Sequence, residues 1–167
     1  MLGRPPLKSL IRKLHRVEDS ILAILLFGMI FLAASQIFLR NLFDSGIVWA
    51  DPLLRVMVLW IGLLGALAAT RENKHISIDL LLRYLSEKMR DATKVFINLF
   101  SSIVAAIIAY HSVRFVMMDY DAQSVAFSNI PSWILELILP ISFGFISLRF
   151  MLHAIINIQT LMRMRHK

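Results

Sequence analysis

SILAILLFGMIFLAASQIFL, residues Ser20–Leu39, decides the fold class of this chain because its twenty residues carry no charged side chain. At about 1.5 Å of rise per residue, a helix of this length crosses roughly the 30 Å hydrocarbon core of a bilayer. Three further apolar runs follow, at about residues 52–70, 95–118 and 132–157. We therefore predict an all-α integral membrane protein with four transmembrane helices.

The composition agrees with a chain that is solvated mainly by lipid. Of the 167 residues, 58% are hydrophobic and 17% are charged, whereas a soluble domain is about 45–50% apolar and about 25% charged. No segment between the runs is long enough for a soluble domain, so residues 1–167 are predicted to form one membrane domain. The absence of cysteine excludes disulfides, thiolate metal sites and thiol nucleophiles.

The basic residues indicate the orientation of the spans. Fourteen of the 18 lysines and arginines lie in the amino-terminal tail, the middle loop and the carboxyl-terminal tail, and only Arg40 lies in the other two loops. The positive-inside rule then places both termini and the middle loop in the cytoplasm. The net charge of +7 is interpreted as attraction to anionic lipid and not to nucleic acid.

Two stretches on the predicted cytoplasmic side have helical amphipathic periodicity. In residues 6–18, apolar side chains recur three and four positions apart while lysines and arginines occupy the opposite side. Residues from about 76 to 93 show a second apolar stripe of this kind. Helices with this pattern lie in the membrane interface or pack on a partner, so we predict two cytoplasmic interface helices.

Motifs that would indicate enzyme chemistry are missing. The sequence has no Gly-rich phosphate loop, no zinc-protease motif, no nucleophile elbow and no carboxylate pair at catalytic spacing. A bis-histidine haem would need His111 and His153, which the predicted topology separates by nearly 20 Å of helix rise. We therefore predict that the chain is not an enzyme and binds no cofactor or metal.

Five charged residues lie at the predicted outward ends of the spans. A charge in hydrocarbon is costly unless it pairs or reaches the headgroups, and Glu136 is the best-inserted acid. We hypothesise that Glu136 pairs with Arg55 or Arg114 and ties helices together, and the alternative is that Glu136 carries a proton or substrate. The candidates for structural ion pairs or a subunit interface are Arg40, Asp51, Arg55, Arg114 and Glu136.

Tryptophans and small residues suggest further contacts. Trp49 and Trp133 lie at outward boundaries and are interpreted as interfacial anchors, whereas Trp60 is mid-span and is expected to face lipid or a neighbouring helix. Gly62 and Gly65 belong to a small-residue face that would permit close helix approach.

Two residues of the fourth run add expectations about its shape and its end. Pro140 is expected to kink the helix and free a carbonyl near Glu136. Arg149, close to the cytoplasmic end, is expected to extend its side chain to the headgroup region.

Several short motifs at fixed spacing resemble the small membrane subunit of tripartite ATP-independent periplasmic (TRAP) transporters. In that family an arginine closes the first span, a tryptophan and an acid open the second with an arginine one turn later, and a His-Ile-x-x-Asp element follows. The family-motif residues Arg71, His75 and Asp79 lie in the last of these. The stretches concerned are Gln36–Arg40, Trp49–Arg55, Trp60–Gly62 and Arg71–Asp79.

The resemblance implies an accessory subunit in a bacterial inner membrane that does not itself carry substrate. Members of the family hold a large permease subunit, which imports an organic acid of the dicarboxylate or sialic acid type with sodium ions. An extracytoplasmic substrate-binding protein delivers that acid. The expected partners are therefore the large permease, the binding protein and membrane lipids. Two alternatives remain: a self-sufficient small oligomeric exporter that uses Glu136, and a membrane anchor for a redox enzyme.

Overall fold

Helices dominate the computed structural model, which describes residues 5–71 and 87–165. Within these ranges the chain forms five helices and one β-hairpin. In chain order the elements are α1 (Pro5–Phe43), α2 (Ala50–Ala69), α3 (Glu87–Asp121), β1 (Val125–Phe127), β2 (Ile130–Pro131), α4 (Ser132–Glu136) and α5 (Ile138–Arg165).

Four helical stretches in the described residues are long and apolar enough to cross a membrane. They coincide with the four apolar runs of the sequence, so the predicted number of spans is confirmed. Helices α4 and α5 together make the fourth. The stretches are His15–Phe43, Ala50–Ala69, Ala92–Asp121 and Ser132–Thr160.

Helix α1 is longer than the predicted first span. Residues 6–18 are its first turns rather than a separate interface helix, and the 39 residues of α1 give a length of about 58 Å. The cause is local, because residues 7–27 contain neither glycine nor proline and helix growth is cooperative once begun. Residues 76–86 of the second predicted interface helix lie outside the described residues, and Glu87 onward belongs to α3.

Residues with positive φ mark the turns between elements. Helix α1 ends before Asp44, whose φ of 47° is the left-handed conformation typical after a helix. Ser128 and Asn129, with φ of 46° and 62°, form the turn of the β-hairpin, as two-residue hairpin loops require.

The spans pack as two helical pairs. Helix α1 packs against α2, and α3 packs against α5 along most of their length, while α2 and α5 join the pairs. Buried Leu67, Ala105 and Ile146 form the apolar core where α2, α3 and α5 meet, and Phe143 and Phe150 pack against it. Helix α1 touches the rest mainly through α2, so much of its surface is exposed. This arrangement leaves broad helix faces uncovered within the chain.

Candidate functional site

The end of the molecule that carries the 44–49 loop holds a polar cleft between α1 and α2. Its anchor is Gln36, which is 4% exposed. The Gln36 side chain accepts a hydrogen bond from the Ile47 amide at 3.0 Å and donates one to the Ile47 carbonyl at 3.1 Å. Arg40 donates to Asp51 at 2.6 Å across the same cleft. The cleft has a volume of about 570 Å³.

Gly46 lies where the loop crosses this cleft, and a larger residue there would have to displace neighbouring side chains. A Cβ atom at Gly46 would lie 3.2 Å from both Arg40 Nε and Gln36 Nε2, which is tighter than ordinary van der Waals contact.

Two of the five charged residues predicted from the sequence, Arg40 and Asp51, form an ion pair across this cleft. Asp51 pairs across the loop with α1, and not with Arg55 one turn along its own helix.

The structure does not join Glu136 to either predicted arginine. Within residues 5–71 and 87–165, neither Arg55 nor Arg114 lies within ion-pair distance of a carboxylate. Both arginines are exposed, because the rotation of α2 and α3 about their axes turns these positions away from the packed interfaces. Among the same residues, Glu136 Oε2 and Asp119 Oδ2 are shielded atoms without a hydrogen-bond partner.

Trp60 acts inside the protein and not at its lipid surface. Its indole Nε1 donates a hydrogen bond to the Leu135 carbonyl at 2.9 Å, which links α2 to α4. That carbonyl lies where the fourth span is interrupted at Leu137, between α4 and α5. Pro140 contributes to the interruption, because it lacks the N–H that would bond to the carbonyl of Glu136. Trp60 therefore contacts a neighbouring helix, as one of the two expectations had it, and does so through a hydrogen bond.

The other two tryptophans lie at helix starts. Trp49 immediately precedes α2 and is 43% exposed. Trp133 lies in the first turn of α4, where its ring meets Tyr120 edge-to-face at 5.5 Å. Both positions are compatible with the predicted interfacial anchors, which stay a prediction because the structure contains no lipid.

The predicted small-residue face of α2 is not used for packing within the described residues. A Cβ atom at Gly62 or Gly65 would have no heavy atom within 4 Å. The close approach of α1 and α2 occurs instead at Gly28, where a Cβ atom would lie 3.4 Å from Met57 Cε. Gly62 therefore lies on an uncovered side of α2, which it shares with Arg55 and Val58.

A second polar cluster lies at the opposite end of α2, and we call it the clasp: Glu18, Asp19, Arg71 and Arg149. Arg71 pairs with Glu18 and, at 2.6 Å, with Asp19. Arg149 pairs with Glu18 at 3.0 Å. The side chains of Glu18, Arg71 and Arg149 are only 21%, 10% and 19% exposed.

Arg149 also contacts the end of α2 directly. Its guanidinium donates to the Leu67 carbonyl at 2.5 Å and lies 3.4 Å from Thr70 Oγ1. Its acceptors are carbonyl and carboxylate groups of the protein, and the extension of Arg149 to the headgroups stays a prediction because the structure contains no lipid. Glu18 and Asp19 were missed by sequence reasoning. The available signal was two consecutive acids at the start of an apolar run in an otherwise basic segment.

A third polar contact joins α3 and α5 within the spans. Ser102 Oγ donates to the Ser147 carbonyl at 3.0 Å, and Ser147 Oγ donates to the Ser102 carbonyl at 2.9 Å. Such reciprocal hydroxyl bonds satisfy polar groups that hydrocarbon cannot solvate. Both hydroxyl protons are therefore used in contacts between α3 and α5.

Ligand chemistry in the described residues is limited. Over 5–71 and 87–165, no three His, Cys, Asp or Glu side chains come together as a metal site. The family-motif residues His75 and Asp79 lie outside the described residues, whereas Arg71 lies in the clasp. The polar side chains described above therefore mainly connect helices to one another, and one side of α2 stays exposed.

Comparison with known proteins assigns the sequence of this chain to a family. Residues 29–160 match the family model described as "Tripartite ATP-independent periplasmic transporters, DctQ component". Over 104 residues, 62% of this chain and 16% of the relative, the chain is 29% identical to the sialic acid TRAP transporter permease protein SiaT of Haemophilus influenzae.

Two further relatives carry related names. The C4-dicarboxylate TRAP transporter small permease protein DctQ of Rhodobacter capsulatus is 28% identical over 123 residues, which are 71% of this chain and 53% of that protein. The isethionate TRAP transporter permease protein DctMQ of Oleidesulfovibrio alaskensis is 25% identical over 104 residues, 61% of this chain and 16% of that protein. The matched part is thus less than two thirds of each relative's length.

Proposed function

Because this multi-pass membrane protein belongs to the DctQ component family of tripartite ATP-independent periplasmic transporters, we propose that it is a non-transporting scaffold subunit. It binds and stabilises the large permease of a sodium-coupled importer that receives its substrate from an extracytoplasmic binding protein. The substrate is an organic acid of the dicarboxylate or sialic acid type, in line with the names of the relatives. The chain lies in the bacterial inner membrane with both termini in the cytoplasm.

The observation that carries this proposal is the uncovered side of α2. Arg55 is exposed there beside Val58 and the open space at Gly62. An arginine at the centre of a membrane helix costs about 2.5–3.5 kcal/mol and less near the helix end, so a partner that supplies an acceptor is favourable. A permease helix with a carboxylate or carbonyl would satisfy Arg55 and close on Gly62.

The spans also lack the architecture of a transport route within the described residues. Ion and anion sites of secondary transporters use helices broken near the middle of the membrane. Helices α1, α2 and α3 are continuous through their spans, and the one described break, at Leu137, lies near an end of the fourth. The hydroxyls of Ser102 and Ser147 are bonded to each other's backbone. These features support a scaffold over a self-sufficient exporter.

Reconstitution tests the proposal directly. Three kinds of proteoliposome would be compared: with the full chain alone, with the large permease subunit of the same transporter alone, and with both. The substrate-binding protein would be added outside in each case. We expect sodium-driven uptake of a labelled dicarboxylate or sialic acid only when both membrane chains are present. Transport by the chain alone would reject the scaffold, and a haem or flavin absorption band in the purified chain would favour the redox anchor.

A matched pair of variants tests the surface. Arg55→Leu should lower the yield of permease that co-purifies with the tagged chain in detergent. Arg16→Leu removes another exposed arginine from α1 and should leave that yield unchanged. Equal losses for both variants would show that overall charge, and not the α2 surface, governs the association.

A further inference from the structure

The two helical pairs of the chain are joined by few contacts. Helices α1 and α2 form one pair, α3 and α5 the other, and α2 meets α5 at the apolar core cluster to which Leu67 and Ile146 belong. We call the contact of α2 with α4 and α5 the seam, and hydrogen bonds connect the two pairs at both of its ends. Trp60 bonds to the Leu135 carbonyl at one end, and Arg149 bonds across the seam at the other end.

Arg149 is placed to control the second end because it joins three elements at once. One nitrogen donates to the Leu67 carbonyl in the last turn of α2, while the other reaches Glu18 on α1. Carbonyls of a last helical turn have no amide partner within the helix and carry partial negative charge. An arginine there is well matched, since its planar fork can serve two acceptors.

Glu18 is the second essential part of this contact. Its two carboxylate oxygens are divided between two cations, Oε1 with Arg149 and Oε2 with Arg71. Arg71 follows α2 directly and also holds Asp19. The start of the first span, the end of α2 and the middle of α5 therefore converge on one carboxylate.

We propose that Glu18 and Arg149 are positioning residues whose contact sets the separation of the two helical pairs at the α2 carboxyl-terminal end. Without it, the apolar packing of α2 on α5 still holds the pairs together but allows them to splay and to rotate at that end. This inference concerns placement inside the chain, goes beyond the proposed scaffold function and does not depend on it.

A distance measurement on the full chain tests the proposal. The protein has no cysteine, so spin labels can be attached at the exposed positions Ser20→Cys on α1 and Leu152→Cys on α5 in lipid nanodiscs. We expect one narrow distance distribution, which Arg149→Gln broadens and shifts by several ångström. For a second pair of labels at the other end of the molecule, Val48→Cys with Ile134→Cys, Arg149→Gln should leave the distance distribution unchanged. An unchanged distribution at the first pair would overturn the proposal.

Three variants separate positioning from a general loss of charge or of folding. Glu18→Gln removes the ion pair but leaves the bond to Leu67, so it should produce a smaller broadening than Arg149→Gln and serves if the latter fails to insert. Arg149→Lys should restore part of the narrow distribution. Arg16→Gln should have no effect, and a broadening equal to that of Arg149→Gln would refute the assignment.

Discussion

Replacing Trp60 with phenylalanine should weaken the seam between the helical pairs by a measurable amount. The substitution keeps an aromatic ring in the α2–α4 contact but removes the N–H that bonds to the Leu135 carbonyl at 2.9 Å. That carbonyl lies beside the interruption at Leu137, and in the spans there is little water to replace the lost donor.

The size of the effect follows from measured hydrogen bonds between membrane helices. These average about 0.6 kcal/mol and reach about 1.7 kcal/mol. Because about 1.4 kcal/mol corresponds to a factor of ten, Trp60→Phe should increase the unfolded fraction roughly 3- to 17-fold beyond any effect of ring size. Trp133→Phe provides the correction for ring size, because Trp133 makes a ring contact with Tyr120 and no described indole hydrogen bond.

The assay is equilibrium unfolding of the full chain in mixed micelles, monitored by circular dichroism. The quantity of interest is the difference in unfolding free energy between Trp60→Phe and Trp133→Phe. If Trp133→Phe destabilises the chain as much as Trp60→Phe does, the bond to Leu135 contributes nothing and the reasoning is refuted.

Four further substitutions have expected outcomes. Ser102→Ala and Ser147→Ala should each cost about 0.6 kcal/mol and be non-additive in a double-mutant cycle of unfolding, whereas additive costs would show that the two hydroxyls act independently. Gln36→Leu should cost about 1–3 kcal/mol because it leaves the Ile47 amide without a partner, and wild-type thermal stability would contradict that role. Gly62→Leu should leave unfolding of the isolated chain unchanged but reduce co-purification with the permease, while full retention of the permease would place the interface elsewhere.

The number of spans and their approximate positions could be predicted from the sequence alone, although α1 extends beyond its predicted span. Apolar run length is a local property, and the thickness of hydrocarbon converts it directly into a helix that crosses the membrane. The same reasoning did not anticipate the hairpin at Ser128 and Asn129, whose positive φ values depend on how two short strands close.

Charge partners were much harder to predict than spans. The sequence brought Arg40, Asp51, Arg55, Arg114 and Glu136 to one end of the molecule, but it offered several ways of pairing them. The structure pairs Arg40 with Asp51 and leaves Arg55 and Arg114 exposed. Within the described residues, the ion cluster around Glu18 at the other end is more enclosed than the Arg40–Asp51 pair.

Sequence by itself therefore determined that this chain is a four-span membrane protein of the TRAP small-subunit type, because hydrophobic run length and motif spacing act along the chain. Only the tertiary structure decided that Arg149 joins Glu18 and Leu67 and that Gly62 faces open space. The physical reason is that such contacts depend on the rotation of each helix about its own axis. That rotation is set by packing between helices distant in sequence.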